Sequence, residues 1–250
     1  MRRWLLIAGV LLASACSQAQ VKQYGVKVVK EYPHRTDAYT QGLFFHEGTL
    51  WETTGQYGES SIRTVDLATG APVELRKLNN KYFGEGSVIL GGVLYILTWT
   101  NKVAFKYDAA SITYQQTLRY PREGWGLTTD GKQLIASDGS ASLYFLDKDL
   151  KLIKRLPVTM NGRPLRYLNE LEWIDGRVWA NVYTTDTIVI INPSDGKVEA
   201  AIDCTGLLPA KLRGRDTDVL NGIAQDAEGR IYLTGKNWPR LYQVELVNKK

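Results

Sequence analysis

Cysteine and histidine are almost missing from this chain of 250 residues, at two each. Cys16 lies in an N-terminal stretch that reads as removable, so with Cys16 lost or lipid-modified no intramolecular disulfide is expected, and Cys204 is most simply a small buried residue. Two histidines are too few for a histidine-rich zinc site, and His34 and His46 are both expected at the surface. A basic stripe is missing too. Lysines and arginines are scattered among acids, and the formal charge of +5 becomes +3 without Arg2 and Arg3, so no nucleic-acid partner is indicated. No apolar run is long enough to span a bilayer as a mature helix. Hydrophobic residues nonetheless make up 44% of the chain, which argues against disorder and for a core that holds without disulfides.

The first residues, "MRRWLLIAGVLLASAC", combine two arginines, an apolar run from Trp4 to Leu12 and a small-residue stretch. That is the pattern of a secretory signal over residues 1–15. Cys16 follows Ala13-Ser14-Ala15 as at a bacterial lipoprotein cleavage site, and ordinary cleavage after Ala15 or Ala19 reads equally well. In both cases an exported, periplasmic protein is expected, with a lipid on Cys16 as its sole link to a membrane. Residues 16–23 read as a short linker and 24–250 as a single domain, expected to be monomeric.

Five segments share one order: a Gly- or Asn-marked strand start, a turn, an apolar strand, and a third strand ending near an acid. Gly42, Gly86, Gly126, Glu170 and Gly222 occupy matching positions at intervals of 44, 40, 44 and 52 residues, within the range of four-stranded propeller blades. Glu47-Gly48, Gly91-Gly92, Asp130-Gly131, Asp175-Gly176 and Glu228-Gly229 fall where hairpin turns need positive φ. The last segment runs out of chain before a fourth strand. "YGVKVVKEY", Tyr24 to Tyr32, has nothing else to pair with and fits that gap. An all-β, five-bladed β-propeller closed by an N-terminal strand is therefore expected. A β-sandwich explains neither the fixed order nor the period.

In a propeller the first strand of each blade lines the axis. The strand starts Tyr39-Thr40-Gln41, Phe83-Gly84-Glu85, Gly124-Trp125-Gly126, Leu168-Asn169-Glu170 and Leu220-Asn221-Gly222 should then meet at one mouth. Second-strand ends add Glu52, Trp99, Asp138, Asn181, Tyr183 and Lys236. This is a concave site with convergent polar groups and aromatic walls. Glu85, set between two glycines and among indoles, should be pushed up in pKa by burial and could carry a proton. The plainer alternative is that Glu85 only pairs with Lys236. Trp51, Trp173 and Trp179 are expected between blades. Glu170 and Glu172 share one strand face; one is expected to hydrogen-bond within the channel, the alternative being a second catalytic acid. The loop Asp203 to Val219 is expected at the surface, the alternative being that it borders the mouth and reads the chain beyond the bound residue.

Ten segments, "YTQGL", "TTGQYGESSIR", "FGEG", "LTW", "GWGLTTDG", "SDGS", "LNELEW", "WANVY", "DVLNGIA" and "TGKNWP", occur in an order that resembles the glutaminyl-peptide cyclotransferases of plant and bacterial type. The resemblance runs from about Tyr24 to Leu246. It implies a five-bladed propeller that converts N-terminal glutamine of peptides and proteins to pyroglutamate with loss of ammonia. Carried over by motif, Glu85 is the general acid/base, and Tyr39, Gln41, Phe83, Trp99, Trp125, Asn169 and Lys236 form the pocket. Tyr183 stands where plant members tend to have tryptophan, which keeps an aromatic wall, adds a hydroxyl and shrinks the ring. No cofactor is required by this scheme, and the resemblance allows a structural calcium ion in the channel.

Two rivals compete. A metal-dependent propeller lactonase or hydrolase would use Glu85, Asn169 and Asn221 as ligands, and a non-catalytic peptide-binding propeller would need no acid at all. The ordered motifs favour the cyclotransferase.

Overall fold

A computed structural model describes residues 20–249. The expected signal and Cys16 lie outside the described residues. Among those described the fold is all-β, with one short 3-10 turn at Ala210–Leu212.

Strand β1 (Lys22–Pro33) comes first. Three four-stranded antiparallel sheets follow: β2 (Thr40–His46), β3 (Thr49–Thr54), β4 (Ser61–Val65) and β5 (Pro72–Lys77); then β6 (Gly84–Leu90), β7 (Val93–Thr98), β8 (Val103–Asp108) and β9 (Thr113–Arg119); then β10 (Leu127–Thr129), β11 (Leu134–Ala136), β12 (Ser142–Leu146) and β13 (Leu152–Pro157). A small hairpin, β14 (Thr159–Met160) and β15 (Arg163–Pro164), leads to β16 (Leu168–Ile174), β17 (Arg177–Val182), β18 (Thr187–Ile191) and β19 (Val198–Asp203). The chain ends with β20 (Leu220–Gln225), β21 (Ile231–Gly235) and β22 (Arg240–Asn248). The hairpin dipeptides behave as their composition requires: φ is positive at both residues of Glu47-Gly48, Gly91-Gly92 and Asp175-Gly176, the twist that matches a two-residue antiparallel turn.

The innermost strands touch in a cycle, β2 to β6, β6 to β10, β10 to β16, β16 to β20, and β20 back to β2. This is a propeller-like arrangement around a common axis. Burial follows the radial order. β6 is buried at every residue, whereas β5, β9 and β13 are mostly exposed and carry Glu74, Arg76, Lys154 and Arg155. Charges on exposed outer strands protect edges against pairing with another chain.

The core is distributed between neighbouring sheets. Phe44, Trp51 and Ile62 pack on Ile89, Leu94 and Phe105 across one seam; Trp179, Ile188 and Ile202 pack on Leu220, Leu233 and Tyr242 across another. Each such side chain contributes about 1.5–3 kcal/mol by leaving water. Trp51 and Trp179 lie in these seams, half-buried Trp173 packs against a third, and Cys204 is a free, buried thiol, as expected.

β1 does more than the expected strand. It runs antiparallel to β22 from Tyr24↔Asn248 to Pro33↔Arg240, and its first residues also pair in parallel with β19, Lys22↔Ala200 to Gly25↔Asp203. One strand thus joins the last two groups into an eight-stranded sheet. It starts at Lys22, with Val21 buried, two residues earlier than the expected Tyr24.

Where β1 hands over to β2, His34 is buried, contrary to its expected surface position. The Nδ1–H donates to the Trp238 carbonyl at 2.7 Å, and Nε2 faces Glu52 Oε1 at 3.0 Å. Glu52 also accepts from Thr40 Oγ1 at 2.7 Å and lies 3.9 Å from Arg63. Its expected place at the mouth was wrong for a simple reason: two buried cations compete for it in the closing seam. Burial alone would lower the pKa of His34, but the charge and hydrogen bond of Glu52, with the Trp238 carbonyl, hold it above 6.5. Burial alone would raise Glu52, but His34 and Arg63 hold it below 4.5. His34 is raised, so its contribution is complete below 6.5 and fades as pH rises through its folded value. Glu52 is lowered, so its contribution is complete above 4.5 and fades as pH falls through its folded value. Glu52→Leu should cost about 3–5 kcal/mol by stranding buried cations. In urea unfolding at a series of pH values, the gap between wild type and variant should be widest between those two limits. A gap that does not vary with pH would refute the ion pair.

Candidate active site

The site is built on a repeated irregularity in the innermost strands. Pairing with the second strand shifts register between Thr40 and Gly42, between Gly84 and Ser87, between Leu168 and Leu171, and between Leu220 and Ile223. A bulge re-aims the residue it contains. The residues inside these shifts are Gln41, Glu85-Gly86, Asn169-Glu170 and Asn221-Gly222, the same positions that carry the polar groups of the axis.

Glycines beside Glu85 answer a steric demand. A Cβ on Gly86 would lie 2.5 Å from Leu127 N and 2.6 Å from the Trp125 carbonyl oxygen, to which Gly86 N–H donates at 2.7 Å. Gly84 N–H donates to Ser60 Oγ at 2.9 Å, and a Cβ there would lie 2.9 Å from the Thr54 carbonyl. Backbone on both sides holds Glu85 while its carboxyl turns into a cavity.

That cavity holds about 320 Å³ and is lined by Tyr39, Gln41, Gln56, Phe83, Glu85, Trp99, Trp125, Asn169, Tyr183 and Lys236. All nine site residues expected from the sequence line it, and Gln56 is the addition. A larger groove of about 810 Å³ opens at the opposite strand ends, beside Trp51, Asp66, Glu74 and Asp108. Its carboxylates lie around the outer turns, with no buried acid behind an aromatic wall, so the smaller cavity is the one equipped for chemistry.

The wall is a closed circuit of side chains. Tyr39 meets Phe83 edge-on at 6.1 Å between centroids, and Phe83 meets Trp99 at 5.5 Å. The indole N–H groups of Trp99 and Trp125 both donate to Glu123 Oε2, at 3.0 and 3.2 Å. Trp125 meets Tyr183 at 5.5 Å and 82°. Lys236 Nζ then lies 4.9 Å from the Tyr183 ring and 4.8 Å from the Tyr39 ring. A cation between two aromatic faces is attracted to both. Tyr39 donates its hydroxyl hydrogen to Asp218 Oδ2 at 2.9 Å, behind the lysine. Trp125 lies flat over Gly139, where a Cβ would stand 2.7 Å from the ring. The Asp138-Gly139 pair is thus a turn that also seats an indole.

Glu85 is buried, and no protein hydrogen bond or direct ion pair reaches its carboxyl among the described residues. The plainer alternative, a simple pair with Lys236, is not what the structure contains. Burial raises the Glu85 pKa well above 4.5, Lys236 opposes this and Glu123 adds to it. Burial lowers Lys236 below 10.5 against the opposing charges of Glu85 and Asp218. Asn221 Nδ2 donates to the Thr40 carbonyl at 2.9 Å and to Gln41 Oε1 at 3.2 Å, which orients Gln41.

Other expected members lie elsewhere. Asn181 Oδ1 accepts from Gly222 N–H at 3.1 Å inside the channel, and Asp138 accepts from Ser140 N–H at its turn. Glu170 bridges strands, accepting from Leu43 N–H at 3.2 Å and Ile223 N–H at 2.9 Å, while Glu172 accepts from Gln225 N–H at 3.4 Å. Burial pushes Glu172 up to about 8 and Glu170 well above 4.5. A calcium ion takes 6–8 oxygens. Among the described residues no three His, Cys, Asp or Glu side chains converge, and both channel carboxyls already serve backbone N–H groups. These side chains alone do not make up a calcium shell.

Residues 3–246 match the model of a family described as glutamine cyclotransferase. The chain belongs to the glutamine cyclotransferase family. A glutaminyl-peptide cyclotransferase from Arabidopsis thaliana is 45% identical over 227 residues, which is 88% of this chain and 71% of that relative. The crystal structure of Myxococcus xanthus glutaminyl cyclase superposes with a TM-score of 0.87 at 35% identity, covering 92% of this chain and all of the other. A streptogramin B lyase structure, with TM-score 0.53 and 11% identity over 92% of this chain and all of the other, shares the fold alone.

Sequence reasoning missed three members of this cyclotransferase pocket. Gln56 carried one signal, since it follows Gly55 in a tight turn; its φ of 84° is a left-handed strain of the kind that clusters at functional sites. Glu123 and Asp218 lie on connections between strands, where periodicity says nothing. Gly86→Ala should destabilise the fold by roughly 1–3 kcal/mol through overpacking and displace Glu85. Gly214→Ala, whose nearest atom would be 3.8 Å away, serves as the control. Urea unfolding of both checks the contrast, and equal effects would remove the steric account of the Gly-Glu-Gly stretch.

Proposed function

We propose that this chain converts the N-terminal glutamine of peptides and proteins to pyroglutamate with release of ammonia, with Glu85 as the proton carrier, on a five-bladed propeller closed by β1. The observation that carries the reading is a buried carboxyl, free of protein partners, on the floor of an aromatic-walled cavity that also holds a buried lysine. Five innermost strands in cyclic contact support the blade count.

The cavity suits a reaction within one residue. Nucleophile and electrophile are already joined, so the protein has only to fold the glutamine into a near-attack shape between Trp99, Trp125 and Phe83. The neutral α-amine attacks the side-chain carbonyl carbon. A carbon–nitrogen bond forms, and the carbonyl π pair moves to oxygen. Lys236, with the Asn169 amide, stabilises that oxyanion. Glu85, as carboxylate, takes the proton from the new ring nitrogen and hands it to the amide nitrogen. The carbonyl re-forms, ammonia leaves and Glu85 is restored. The product has lost the positive N-terminus, and with it the group that faced the acid.

This reading uses no metal, unlike the lactonase rival, and it makes Glu85 indispensable, unlike the binding rival. Export to the periplasm, with a possible lipid anchor at Cys16, and a monomeric state are part of the same proposal.

Ammonia release from short peptides beginning with glutamine tests it, with and without EDTA. Glu85→Gln should lose roughly 10²–10⁴-fold in turnover. Because the folded pKa of Glu85 is raised, the acid limb of kcat should lie above the ordinary 4.5, with activity rising as the proton leaves. Because that of Lys236 is lowered, the alkaline limb should lie below 10.5. No ammonia from the intact protein across several such peptides would sink the cyclotransferase reading and leave the binding propeller or the lactonase to be tested; turnover lost with EDTA would overturn the metal-free scheme.

A further inference from the structure

Glu123 is the one member of the wall that is neither aromatic nor cationic, and it lies on the connection between β9 and β10. Its backbone is pinned on the far side, with Gly124 N–H donating to the Thr98 carbonyl at 3.0 Å and Trp125 N–H to the Ser137 carbonyl at 3.2 Å. From this fixed point a single oxygen, Oε2, accepts from both indoles. Without it nothing joins Trp99 to Trp125. Trp99 is also the more weakly packed of the two, 38% exposed and held otherwise by the edge of Phe83.

We propose that Glu123 is a positioning residue for the cyclisation: its Oε2 ties the two indoles at a set separation and so fixes the slot that grips the glutamine side chain. The inference rests on the functional reading above and adds a residue to it. Charge-assisted hydrogen bonds are the stronger kind, and one acceptor shared by two donors fixes an angle as well as a distance. Loss of the tie lets Trp99 swing toward solvent, so the cost falls on substrate binding before it falls on the chemical step.

The charge of Glu123 has a separate effect. Glu85 is faced by Lys236 from the end of β21, by Glu123 from the β9–β10 connection, and by the hydroxyls of Tyr39 and Tyr183, with Asp218 behind the lysine. Taking away the Glu123 charge leaves Lys236 less opposed and makes Glu85 easier to deprotonate.

Two variants separate tie from charge. Glu123→Gln keeps an acceptor oxygen and removes the charge, whereas Glu123→Ala removes both. The alanine variant should raise KM about tenfold, the worth of a hydrogen bond to a charged group, with a smaller change in kcat. The glutamine variant should recover most of that loss in KM while its acid limb moves to lower pH. Indole N–H signals of ¹⁵N-tryptophan-labelled protein, assigned with Trp99→Phe and Trp125→Phe, should both move in Glu123→Ala and move less in Glu123→Gln. Should the alanine variant unfold, Glu123→Asn, whose shorter amide cannot span both indoles, replaces it. Unmoved indole signals, an unchanged KM in the alanine variant, or a glutamine variant as impaired as alanine would each overturn the proposal. Absence of turnover in the wild-type protein would refute the functional reading alone, and the indole signals would still decide the tie.

Discussion

Innermost strands that meet around a common axis leave no room for Cβ atoms at the points of closest approach. A methyl group on Gly126 would overlap the Asn169 carbonyl, and one on Gly42 would stand 2.8 Å from Ser87 N. Three of the five matching positions are glycine for this reason, and Gly222 is glycine because its φ is +118°. The fifth, Glu170, uses its side chain instead, laid across to Leu43 and Ile223 N–H groups on two other strands. Close approach also breaks regular pairing, and the resulting bulges turn Gln41, Glu85 and Asn169 toward the mouth. The floor of the cavity is thus a by-product of the way the ring closes.

Such a floor is expensive. A buried carboxylate and a buried ammonium that do not pair directly each forgo several kcal/mol of solvation. Lys236 recovers part of this from two tyrosine faces and from Asp218, whereas no protein hydrogen bond among the described residues reaches the Glu85 carboxyl. The remainder is offset away from the site, in the apolar seams between sheets and in the His34–Glu52–Arg63 cluster where first and last groups join. That division explains why one end of the strands can stay chemically unsatisfied while the rest of the molecule is well packed.

Much of this could be read in the sequence, for reasons that are local. Turn dipeptides and the matching positions are set by backbone geometry, which each short segment carries within itself. Glu85, Trp125 and Lys236 fall at strand starts or ends, so the repeat alone brings them together. His34 and Glu52 could not be read this way. They meet because β1 crosses to β22 before the chain enters β2, a contact that no local pattern encodes. The parallel pairing of β1 with β19 was equally hidden, since an outer strand with one partner already satisfied gives no sign of a second. Glu123, Gln56 and Asp218 escaped because connections have no periodicity to betray which way a side chain turns.

Floor and wall therefore answer to different constraints. Glu85, Gln41 and Asn169 come from strands whose backbone is locked against neighbours on both sides, and little can change there without disturbing closure. Trp99, Glu123, Tyr183 and Lys236 come from strand ends and connections, held by contacts with Phe83, Trp125 and one another. Substitution in the wall alters the width of the slot without touching the ring. The tyrosine at position 183 illustrates this: it keeps its edge against Trp125 and still offers a face to Lys236, so a smaller ring is absorbed locally. The floor of the cavity is set in the part of the molecule that folding protects, and the width of its slot in the part that folding leaves free to vary.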